Sequence, residues 1–216
     1  MGQQPRRTDP GGSRERNALA VLVDRSLPLK ARRNALVDLH LYYGTDASTD
    51  VLGNVAREAP QQGMRVGAIG ALAGIGSEAA IDELIASLSY GDAACVCRAA
   101  LALELRKERR AIPELLRCLV DRGEALNSDA RLRLLAALYV LPAPSSLDTL
   151  VPFLTHRDRK TRRAAANAVG AIGDGESLTA LEAAAAELGF RRGTWASIWA
   201  DRLRDAARTN RSPQPD

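Results

Sequence analysis

Met64-Arg65-Val66-Gly67-Ala68-Ile69-Gly70-Ala71-Leu72-Ala73-Gly74-Ile75-Gly76 places Ala68, Ile69 and Leu72 three, four and seven residues after Arg65. That spacing lines one face of an α-helix. The same template follows Arg32 (Ala35, Leu36, Leu39), Arg98 (Leu101, Ala102, Leu105), Arg131 (Leu134, Leu135, Leu138) and Arg162 (Ala165, Ala166, Val169). The five arginines stand at intervals of 33, 33, 33 and 31 residues. A second helix follows each first one, with Val51 and Val55, then Ile81, Leu84 and Leu88, then Ile112, Leu115 and Leu119, then Leu147, Leu150 and Leu154, then Leu178 and Leu181. A recurring unit of this length is a helix pair too small to bury its own apolar stripe, so successive pairs must stack. The expected fold class is therefore all-α, an α-solenoid of about five helix pairs.

The loops between the stripes carry turn residues. Gly74 and Gly76 end the first helix of pair two, Gly173 and Gly175 that of pair five, and Pro142 and Pro144 forbid a continuous helix through pair four. Pair three lacks turn glycines and reads Arg106-Lys107-Glu108-Arg109-Arg110 between its helices. Residues 1–15, with Pro5, Pro10, Gly11 and Gly12, are expected to be a disordered arm, and residues 209–216 a disordered tail. The solenoid then occupies 16–208. Trp195, Ile198, Trp199 and Leu203 give its last helix one heavy apolar face, as a terminal cap requires.

Aromatics make up only 4% of the chain, so its core must be built from Ala, Leu, Ile and Val. The net charge of +4 resides in the tails, leaving a repeat body near neutrality. A solenoid gripping phosphate concentrates Lys and Arg along its groove, so this balance argues against nucleic acid as partner. No segment is long and apolar enough for a membrane span, and the N-terminus lacks a signal-peptide core. A cytoplasmic protein is expected. Cys95, Cys97 and Cys118 are read as reduced, mostly buried thiols, with His40 and His156 too remote in sequence to complete a zinc site. No phosphate loop, nucleophile elbow or metal-ligand pair occurs, so neither catalysis nor a cofactor is indicated.

The segments Met64 to Gly76 and Arg162-Arg163-Ala164-Ala165-Ala166-Asn167-Ala168-Val169-Gly170-Ala171-Ile172-Gly173-Asp174 resemble HEAT repeats, and more narrowly the short HEAT-like type of phycobilisome lyases. The resemblance spans about residues 29 to 188. It implies a right-handed armadillo/HEAT-like superhelix with the second helices lining the concave side. On that reading the binding residues are Asp50, Asp82, Glu83, Glu114, Arg117, Asp148 and Phe153. The function implied is a non-enzymatic scaffold or adaptor for a protein or peptide partner. Alternatives are a bilin lyase or bilin-handling chaperone subunit, and a HEAT-like nucleic-acid-binding or DNA-repair protein. An acid precedes three of the aligned arginines, Asp92 before Arg98, Asp129 before Arg131 and Asp158 before Arg162, which points to bracing between repeats rather than an anion ladder.

Overall fold

The computed structural model describes residues 12–188 and 195–209, all of them in helices or the turns that join helices. Of the expected arm (1–15) and tail (209–216), residues 1–11 and 210–216 lie outside the described residues. The chain divides into two compact units between Arg106 and Lys107, inside the charged loop that lacks turn glycines.

The first unit contains α1 (Ser13–Val23), α2 (Leu29–Asp38, prolonged by a π-helical turn Leu39–Tyr43), α3 (Thr49–Glu58), α4 (Gln62–Ile75), α5 (Glu78–Tyr90) and α6 (Ala93–Arg106). Helices α2, α4 and α6 are neighbours in one layer, and α3 and α5 pack against them as the other. Helix α1 starts within the stretch assigned to the arm. Its Glu15 is buried and accepts hydrogen bonds from Thr45 N and Oγ1, both at 2.8 Å, which ties this first turn to the body.

The second unit contains α7 (Ile112–Arg122), α8 (Ser128–Val140), α9 (Leu147–Leu150), α10 (Arg159–Ile172), α11 (Gly175–Glu187) and α12 (Trp195–Thr209). Helix α9 is much shorter than the periodicity predicts. Pro152 has no N–H to return to the preceding turn, and the chain continues as a 3-10 helix over Val151–Thr155. Leu147, Leu150 and Leu154 are still buried.

Local chemistry fixes the ends. Ser77, Asp92, Asn127, Asp158 and Asp174 each accept a backbone N–H in the first turn of the following helix, satisfying donors that have no helical partner. Gly76 (φ 69°) and Gly173 (φ 77°) close α4 and α10 in the left-handed conformation. After α6 the same role falls to Lys107 (φ 54°), which explains how pair three turns without glycine.

The register of α6 departs from the sequence alignment. Arg32, Arg65, Arg131 and Arg162 are each the fourth residue of their helix, whereas Arg98 is the sixth of α6 and the fourth is Val96. Counting from Val96, the template becomes Ala99, Ala100 and Leu103, all fully buried. Leu105, aligned by sequence with the buried Leu72, Leu138 and Val169, is 75% exposed. A smaller slip occurs in α3, where Thr49, Leu52 and Ala56 form the buried stripe and Val51 and Val55 are half-exposed.

Candidate interaction surfaces

Four of the five aligned arginines are braces. Arg32 Nε donates to Leu22 O at 2.9 Å, Arg65 Nη1 to Ala59 O at 2.7 Å, Arg131 Nη1 to Gly123 O at 3.0 Å and Arg162 Nη1 to His156 O at 2.8 Å. Each neutralises a carbonyl near the end of the preceding helix or turn, where helical acceptors run out. Arg131 is itself buried and also donates to Thr161 Oγ1 at 3.1 Å, joining α8 to α10. Arg98 takes no such part. Asp92, which precedes it in sequence, pairs with Arg65. Burial alone would raise the Asp92 carboxyl, but hydrogen bonds from Arg65 and from Cys95 N hold it down at about 2.

On the second helices, the corrected register of α3 aligns Asp50 with Asp82 and Asp148, which follow Thr49, Ile81 and Leu147 of the buried stripes. All three are exposed. The remaining expected residues are held by their own neighbours. Glu83 accepts from Arg57 Nη2 at 2.5 Å across α3 and α5, and the Arg57 guanidinium lies 5.2 Å above the Tyr90 ring. Burial pushes the Tyr90 phenol up to about 12. Glu114 is buried and bonded to Arg117 one turn on, while its Oε1 has no hydrogen-bond partner. Phe153 is half-buried and stacks on His156 at 6.2 Å between centroids.

The densest basic run, Arg157 to Arg163, is largely spent on structure. Glu124 accepts from Arg157 Nη2 at 3.1 Å and contacts His156 Nε2 at 2.8 Å, and Asp158 caps α10. Trp199 is part of a cap. Its Nε1 donates to Asn167 Oδ1 at 2.8 Å, and its ring lies against Gly170, where a Cβ would stand only 2.3 Å from it. The Trp195 side chain lies outside the described residues. Cys95, Cys97 and Cys118 form no disulfide among the described residues, and burial raises the thiols of Cys95, to about 11, and Cys118, which suits packing rather than nucleophilic attack. Among the described residues, no group of three or more His, Cys, Asp and Glu side chains could hold a metal ion, and no helix is long and apolar enough to cross a membrane.

Sequence reasoning missed a third surface, in the α2, α4 and α6 layer of the first unit. Two cavities, of about 360 and 290 Å³, share His40 and Arg98. The signal lay in Gly63, Gly67, Gly70 and Gly74, which fall on one face of α4.

Helix pairs stacked within each unit, each lending its neighbour its apolar stripe, define an α-solenoid repeat protein. A model of HEAT repeats matches residues 49–126 and 123–198, more than half of the chain, and the protein belongs to the HEAT-repeat family. Among solved structures, an engineered protein is similar with a TM-score of 0.57 at 18% identity, covering 89% of this chain and 96% of its own. The complex of CpcE and CpcF of phycocyanin lyase from Nostoc sp. PCC7120 is similar with a TM-score of 0.55 at 21% identity, covering 94% of this chain and 99% of that one. No curated protein matches the sequence.

Proposed function

We propose that the protein is a non-enzymatic interaction module whose second helices, in each unit, hold a protein or peptide partner. The observation that carries this reading is the recurrence of an exposed aspartate, Asp50, Asp82 and Asp148, at one register of three second helices. Exposed carboxylates held on rigid helices suit a basic or amide-rich segment and cost little to leave in water when the partner is absent. Glu83 in the first unit and Glu114 and Arg117 in the second form local pairs on their own second helices, and Phe153 of the second unit supplies an apolar edge beside His156.

The test is capture of a partner from the source organism by the wild-type chain and by the triple variant Asp50→Lys, Asp82→Lys, Asp148→Lys. Loss of capture by a folded variant is expected, and undiminished capture excludes this face. The bilin-handling alternative draws on the likeness to CpcE and CpcF, yet an engineered protein is alike to the same degree. Co-expression with a phycocyanin subunit and bilin tests that alternative, with no new absorbance expected.

A further inference from the structure

The α2, α4 and α6 layer of the first unit carries a groove with walls and charges of its own. Its floor is Gly63, Gly67 and Gly70 of α4 with Leu36 packed over Gly67, and its apolar walls include Val37 from α2 and Leu101 and Leu105 from α6. Val37 is 51% and Leu105 75% exposed, so large aliphatic side chains stand in water on both sides. Arg33 and Arg98 reach over the floor. Arg33 Nη2 lies 3.2 Å from where a Gly63 Cβ would stand, and Arg98 Nη2 lies 3.1 Å from the corresponding point at Gly70. Neither arginine has an ion pair among the described residues, and no carboxylate lines either cavity. Gly63 and Gly70 are two helical turns apart on α4, so the two guanidiniums are spaced by about 10 Å along the groove.

We propose that this groove docks an acidic amphipathic helix, with carboxylates about seven residues apart meeting Arg33 and Arg98 and its apolar side chains lying against Val37, Leu101 and Leu105. The spacing of the cations equals two turns of the incoming helix, which lies on the side chains that cover the glycines, Leu36 over Gly67 and the two arginines over Gly63 and Gly70. The two free cations complement carboxylates that are themselves costly to desolvate unpaired. A polyphosphate chain is a poorer fit, because most of the lining is aliphatic or glycine and the third arginine there, Arg106, is held on Ala73 O.

Fluorescence anisotropy on the full chain tests this with a labelled synthetic helix of roughly 18 residues, about five turns, of Leu, Ala and Glu. Its glutamates are set seven residues apart, and its twin carries Lys in their place. The Glu peptide binds and the Lys peptide does not. Arg33→Glu and Arg98→Glu each weaken binding by about tenfold or more, and Leu105→Ser weakens it without touching a charge. Equal binding of the two peptides, or binding unchanged in the Arg33→Glu, Arg98→Glu double variant with native circular dichroism, overturns the proposal. So does displacement of the Glu peptide by a single-stranded oligonucleotide or anionic vesicles that depend on the same two arginines, which would reassign the groove to a polyanion. Asp50→Lys and Asp82→Lys leave peptide binding unchanged, so failure here and failure of the second-helix reading are told apart.

Discussion

Arg98 in α6 and Arg131 in α8 stand at the same place in the repeat when the sequence is aligned on its arginines. In the structure, Arg131 is buried, bonded to Gly123 O and Thr161 Oγ1, and part of the joint between α8 and α10. Arg98 lies over Gly70 at the rim of a groove and braces nothing. The difference comes from two residues of register, because Arg131 is the fourth residue of its helix and Arg98 the sixth. Two residues rotate a side chain by about 200° around a helix, enough to carry it from the packed side to the open one. Two helices of one family thus use the same residue type once as mortar and once as surface.

Core truncation separates the two registers most sharply. Leu103→Ala should cost about 2–5 kcal/mol in denaturant unfolding, the range for a buried leucine, while Leu105→Ala should stay within about 0.5 kcal/mol. The reverse order would restore the arginine alignment. Next comes the pair itself. Arg131→Met leaves Gly123 O and Thr161 Oγ1 short of a buried donor and should cost about 1–3 kcal/mol, against about 0.5 kcal/mol or less for Arg98→Met.

A third effect asks which arginine the loop acid serves. Asp92→Asn keeps a capping oxygen for α6 but removes the charge facing Arg65, and should cost about 1–2 kcal/mol at pH 7 after solvent screening. The folded-state carboxyl is depressed, to about 2, so its contribution is present above the ordinary carboxylate value and disappears as pH falls toward 2. Stability curves of wild type and variant should therefore converge in acid; a constant gap would mean that Asp92 acts only as a cap. Smallest is the turn after α6. Lys107→Gly relieves a left-handed residue and should raise stability by up to about 1 kcal/mol, whereas Gly76→Lys, which forces a side chain into that conformation beside the Arg106 guanidinium, should lower it.

The helix ends were legible because they are written in local chemistry. Asp158 and Asp174 are caps wherever the chain goes next, and Gly76 and Gly173 permit a backbone that other residues resist. The shortening of α9 was equally available from Pro152, although the leucine stripe around it reads as unbroken helix. The acidic residues of the second helices could be enumerated in sequence, but not their fates. Glu83 needs Arg57 from a neighbouring helix, and Glu114 is buried despite its charge, while Asp50 and Asp82 are exposed.

The groove was written in the glycines of α4 and could not be read there. A helical glycine stripe means close approach, yet only the packed layer shows whether a neighbouring helix fills the space or leaves it open. Here Leu36 covers Gly67, and Arg33 and Arg98 overhang the ends.

What the sequence alone determined is the all-α repeat and the positions of most turns, since helical periodicity and capping act over a few residues. What only the tertiary structure decided is which face of α6 is inside. The run Val96 to Leu103 is apolar on several sides apart from Cys97 and Arg98, so its pattern admits two registers two residues apart. Packing against α4 and α5 chose the one that buries Leu103, and that choice left Leu105 and Arg98 at the surface.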